Sequence, residues 1–131
     1  MPPPPDSPQP SPSAPELPSI DPERLAMLRE LCLDTGPDLL REMFASWEND
    51  ASRHLAEART AMANTDLQTL KAAAHAIKGS CSNMGITRLS EMGRQLEHQI
   101  DAPTLAAALL VQMEAEFLRT RSLLAAVTAE S

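Results

Sequence analysis

Aromatic side chains are scarce: the 131-residue chain has two Phe, one Trp and no Tyr. Single-stranded nucleic acid is held on aromatic platforms in a basic groove, and a chain of formal net charge -7 offers neither. Glycine is nearly as sparse. None of the four falls in a GxGxxG or GxxxxGK[ST] spacing, so no nucleotide-cradling loop is expected. The two cysteines, Cys32 and Cys81, have no CxxC partner. They are too few for a structural zinc site and read as reduced, small apolar residues. No apolar run reaches the roughly 20 residues of a membrane span, and the N-terminus lacks the basic and apolar regions of a secretory signal. The expected place of action is therefore cytoplasmic, with no nucleic-acid and no membrane partner. Alternating runs and Asn-Gly hairpin signals are missing too, which leaves helix and short turn.

What is present is unevenly spread. Nine of the 12 prolines lie in the first 18 residues. Residues 1–19 are expected to be a disordered Pro/Ser-rich tail, because they cannot bury enough apolar surface to order themselves. Residues 20–131 are expected to form one domain with a core of its own. Pro22, Pro37 and Pro103 fall where helices should begin, since a first-turn proline loses no hydrogen bond.

Apolar residues at i, i+3/i+4 predict helices over about 22–33, 37–63, up to 83, 87–100 and 103–128. Their inward stripes are Leu25, Leu28 and Cys32; then Leu40, Phe44, Trp47, Ala51, Leu55, Ala58 and Met62; then Leu70, Ala74, Ile77, Cys81 and Met84. The fourth carries Leu89, Met92, Leu96 and Ile100, and the fifth Leu105, Leu109, Met113, Phe117, Leu124 and Val127. Thr65 and Gln68 fit a capping box for the third helix, and Gly85 stops it. Short connections imply antiparallel neighbours. The expected fold is all-α: an antiparallel four-helix bundle with a short additional N-terminal helix, and a monomer.

The third helix is the informative one. At about 100° per residue, His75 lies roughly 160° from Ile77 and so points away from the core. It shares its face with Lys71, Lys78, Gly79 and Ser82. Nine of the 11 basic residues are Arg, and the two lysines flank this histidine. Gly79 costs about 1 kcal/mol against Ala inside a helix, so some gain should offset it. Glycine at i+4 leaves the imidazole open to a bulky approaching group. An ordinary imidazole, with a pKa of about 6.5, is mostly neutral and nucleophilic at pH 7. The ammonium at i+3 can attract phosphoryl oxygens as they arrive. Such a ring is a candidate phosphoryl acceptor.

The stretch His75-Ala76-Ile77-Lys78-Gly79-Ser80-Cys81-Ser82-Asn83-Met84-Gly85 resembles the signature of the histidine phosphotransfer (HPt) domain. That pattern is His, any residue, an aliphatic, Lys, Gly and small residues, then an apolar residue and Gly. The resemblance extends more loosely through Leu89 and Leu96-Glu97, and the helix order agrees over about 20–128. Cys81 stands where the family more often has Ser or Ala. The resemblance implies a phosphorelay carrier of two-component signalling. His75 would take a phosphoryl group from one receiver-domain aspartate and pass it to another. Lys78 would steady that group, Gly79 would permit close docking, Lys71 would add a weaker field, and Ser82 would lie alongside. The implied partners are receiver domains of response regulators and hybrid histidine kinases. The receiver would supply Mg²⁺; the chain itself would hold no cofactor or metal, bind no ATP and be no enzyme.

A docking patch is expected on the first helix, where Met27 and Leu31 form an apolar pair at i,i+4 off the inward stripe. His54 lies near the stripe of Trp47 and Ala51 and reads as a partly buried structural residue. His98 points outward but is followed by Asp101, which would repel a phosphoryl group. Gly93 suits close helix packing. No Glu-x-x-His pair exists, since Ala51, Ala72 and Gln95 precede the histidines by three, so a di-iron bundle is excluded. The alternative is a phosphate-independent interaction module, a degenerate HPt-like domain, which would normally have lost its His or Lys. A kinase phosphoacceptor region would need an acid beside the histidine, and Ala76 follows it.

Overall fold

A computed structural model describes residues 17–129. The disorder expected of residues 1–16 lies outside the described residues. Five helices follow one another: α1 (Pro22–Thr35), α2 (Pro37–Ala63), α3 (Leu67–Asn83), α4 (Thr87–His98) and α5 (Pro103–Ala129). Among the described residues there is no strand, and no helix is long and apolar enough to cross a membrane. The four longer-range seams run α2 to α3, α3 to α4, α4 to α5 and α5 back to α2, while α1 packs on α2. This is the expected four-helix bundle with a leading helix.

The helix ends show how the sequence builds it. Asp21 caps α1 by accepting from the Glu23 amide, with Pro22 at the first position. Gly36, at φ +99°, turns the chain from α1 into α2 in a conformation that side chains avoid. The cap of α3 is Asp66 rather than Thr65. Its carboxylate accepts from the Thr69 amide at 3.1 Å and the Thr69 hydroxyl at 2.6 Å. Those bonds hold its carboxyl below the ordinary carboxylate value. Thr65 is instead spent on the turn, at φ +54°.

Leu40, Leu70, Ile77, Ile86, Leu89, Leu96 and Met113 are sealed at the centre, each such side chain contributing on the order of 1.5–3 kcal/mol. Trp47 stacks obliquely on Phe117 with centroids 5.5 Å apart, and its indole N–H donates to Cys81 Sγ at 3.4 Å. Burial pushes the Cys81 thiol up to about 11, against a weaker opposing effect of the Trp47 bond. It is an inert core residue.

Three further expectations change. Leu105 is exposed, and α5 instead buries Ala106, Leu109, Leu110, Met113, Phe117 and Leu124. The phase set by 106, 110, 113 and 117 leaves Leu105 about 100° off the buried line. α4 stops at His98, so Ile100 belongs to the turn before α5 and is half-buried. The domain also begins earlier than residue 20. The Leu17 and Pro18 carbonyls accept from Arg88 Nε at 2.7 Å and the Thr87 hydroxyl at 2.6 Å, while Ser19 Oγ donates to buried Glu116 at 2.6 Å. Arg88 and Thr120 satisfy the same carboxylate. Composition marks these residues as tail; their backbone acceptors and one hydroxyl fasten them across the start of α4 and the middle of α5.

Candidate functional site

α3 buries Leu70, Ala73, Ala74, Ile77 and Cys81, which fixes the opposite face outward. The His75 side chain is 70% exposed. Lys71, Gly79 and Ser82 are exposed on the same face, and Lys78 is half-buried. Neither lysine makes a side-chain ion pair or hydrogen bond with another described residue. Both ammonium groups are therefore open to an incoming anion.

The two helical glycines differ. A Cβ on Gly79 would meet nothing within 4 Å, so the room above it belongs to the surface. A Cβ on Gly93 would lie 3.1 Å from both the Ala74 carbonyl oxygen and the Lys78 amide nitrogen. Gly93 thus brings α4 against α3, and Ser90 Oγ donates to the Lys78 carbonyl at 3.0 Å along the same seam.

That seam delivers a group absent from the residues expected at the site. Ser90, Gly93 and Glu97 share one face of α4 at i, i+3 and i+7. Glu97 Oε2 lies 3.1 Å from His75 Nδ1, and its side chain is only 16% exposed. When the ring is neutral, Nδ1–H donates to this carboxylate and the lone pair is left on Nε2. The expectation of no acid beside His75 looked only along α3, to Ala76. The acid comes from 22 residues further on. The usable signal was the register of α4: once Gly93 is placed against α3, Glu97 must fall on the same side one turn later.

The other expected residues are distributed as follows. Met27 and Leu31 are exposed, while Leu28 and Cys32 face inward. Arg24, Met27 and Leu31 lie within about 60° on α1. Arg24 Nη2 donates to the Asn83 carbonyl at 2.8 Å, and the Asp21 amide to the Gly85 carbonyl at 2.7 Å. Arg24 and Asp21 therefore tie the first turn of α1 to the C-terminal end of α3, about two turns beyond His75. His54 is largely covered, with Nδ1 3.5 Å from Glu57 Oε2. That contact is too poorly formed to satisfy the nitrogen. His98 is exposed at the end of α4.

Grooves run along the α2/α5 and α4/α5 seams, and neither is lined by His75. Among the described residues no three metal-ligating side chains come together. The face is an open surface on which an exposed imidazole meets a mostly covered carboxylate, with two lysines on the same helix. That shape suits chemistry completed by a docked macromolecule better than capture of a small molecule.

Residues 27–129 match the family model of the Hpt domain. No curated protein sequence matches the chain. Among solved structures, it is similar to the crystal structure of histidine-containing phosphotransfer protein B from Pseudomonas aeruginosa PAO1. The two share 31% identity with a TM-score of 0.75, over 87% of this chain and 97% of that one.

Proposed function

Because the chain belongs to the Hpt domain family, whose members carry phosphoryl groups in phosphorelays, we propose that it shuttles one between receiver-domain aspartates through Nε2 of His75. The observation that carries this reading is the exposed ring with Nδ1 turned to Glu97. The Nε2 lone pair attacks the phosphorus of an aspartyl phosphate. The N–P bond forms, the P–O bond to the aspartate breaks, and that carboxylate leaves with the electron pair. Nε2 has no proton to lose. The ring becomes cationic as the bond forms, and the Glu97 carboxylate offsets that charge through Nδ1–H. Transfer onward is the reverse step on a second aspartate.

Lys78 faces the arriving phosphoryl oxygens, Gly79 gives the receiver clearance, and Lys71 and Ser82 border the approach. Met27 and Leu31 offer the apolar grip. The receiver brings its Mg²⁺, and the chain acts as a carrier rather than a kinase. With both cysteines buried as free thiols, the reading places this relay in the cytoplasm.

Incubation with a phosphorylated receiver tests the reading. Acid-labile, alkali-stable label should appear on the wild type and on His54→Gln and His98→Gln, and be lost from His75→Gln. Label persisting on His75→Gln would end the assignment, and a protein that never takes label would be a phosphate-independent interaction module. Lys78→Ala should slow transfer or shorten the phosphohistidine lifetime while the bundle stays folded by circular dichroism.

A further inference from the structure

Glu97 has a second claimant one turn away. Helical phase places Arg94 about 60° from Glu97 on α4. Helical side chains lean toward the N-terminus, so the Glu97 carboxylate lies over the turn that carries Arg94. A guanidinium there would neutralise the group on which His75 depends. It is turned the other way. Arg94 Nε donates to Glu91 Oε2 at 2.9 Å and Nη2 donates to Glu91 Oε1, a bidentate clasp. Both carboxylates are mostly covered, at 18% and 16% exposed, and one arginine stands between them in sequence. Covered charges need partners, and an acid N-terminal to its base is the better helical order. The Arg94 bonds hold the Glu91 carboxyl below the usual carboxylate range, and Glu91 in turn raises Arg94.

We propose that Glu91 is a positioning residue for the transfer: by clasping Arg94 it keeps the guanidinium off Glu97 and leaves that carboxylate to orient His75. The proposal rests on His75 being the phosphoryl carrier. Removing the Glu91 charge frees Arg94 to bind Glu97, weakens the Nδ1–H bond and relaxes the preference for Nε2 as the bare nitrogen.

The test is ring ¹⁵N NMR of His75 in the unphosphorylated full chain at about pH 8.5, two units above an ordinary imidazole pKa. Glu91→Gln should shift the tautomer balance toward Nε2–H and slow transfer from a phosphorylated receiver about twofold, the scale of one helical ion pair. The Glu91→Gln/Arg94→Gln double variant should restore both, because the freed guanidinium is gone. A Glu91 that merely stabilises the helix would give no tautomer change and no rescue. Unchanged ¹⁵N shifts, faster transfer, or a double variant as slow as the single would overturn the proposal. The tautomer is read without a receiver, so a failure of His75→Gln to abolish label would sink the carrier reading separately.

Discussion

At the scale of single residues, the two helical glycines separate docking clearance from packing. Gly79 has free space where a Cβ would go, so Gly79→Ala should stabilise the fold by about 1 kcal/mol, the ordinary helix-propensity gain. Gly93→Ala should destabilise it by about 1–2 kcal/mol even after that gain. Its Cβ meets backbone atoms of α3, which yield only if the whole helix moves. Thermal melts of both variants measure the contrast. Gly79→Leu should fold and yet lose transfer, since its bulk stands beside Nε2; normal transfer by that variant would remove docking clearance from the account. That His75, Lys78 and Gly79 share one side of α3 was legible in sequence because all three lie on one helix, where spacing alone sets their relative direction. Glu97 was not, because the contact spans two helices whose register depends on the seam around Gly93.

At the scale of elements, α1 is the piece whose role depends on placement. Its inward stripe of Leu28 and Cys32 anchors it, and Arg24 ties its first turn to the end of α3. Met27 and Leu31 share Arg24's face of α1 and are exposed. Met27→Ser/Leu31→Ser should leave the melting temperature within about a degree, since exposed positions contribute little to stability. The same variant should weaken receiver binding and slow transfer several-fold. Calorimetric titration with a receiver checks this, and unaltered affinity would move the grip elsewhere. The sequence pattern identified the pair as surplus to the core. It could not say which surface they border, because that depends on how α1 lies across α2 and the end of α3.

At the scale of the whole molecule, buried Glu116 holds the segment before α1 to α4 and the middle of α5. Ser19, Arg88 and Thr120 converge on this one carboxylate from three segments. Glu116→Ala should cost about 3 kcal/mol, because it leaves the half-buried Arg88 cation without a carboxylate to offset its charge. Removing residues 1–16 should leave the melting temperature near wild type, whereas removing 1–19 should lower it by several degrees. Equal effects of the two truncations would show that the Ser19 fastening contributes nothing.

The amino-acid order alone determined five helices, most of their inward residues and an outward histidine between two lysines, because helical periodicity is local and each residue's face follows from its neighbours. The tertiary structure decided which acid meets His75, how α1 is tied to the end of α3 and where the folded domain begins. Those contacts join residues tens of positions apart. Their partners are fixed by the packing of one helix on another, which no local period encodes.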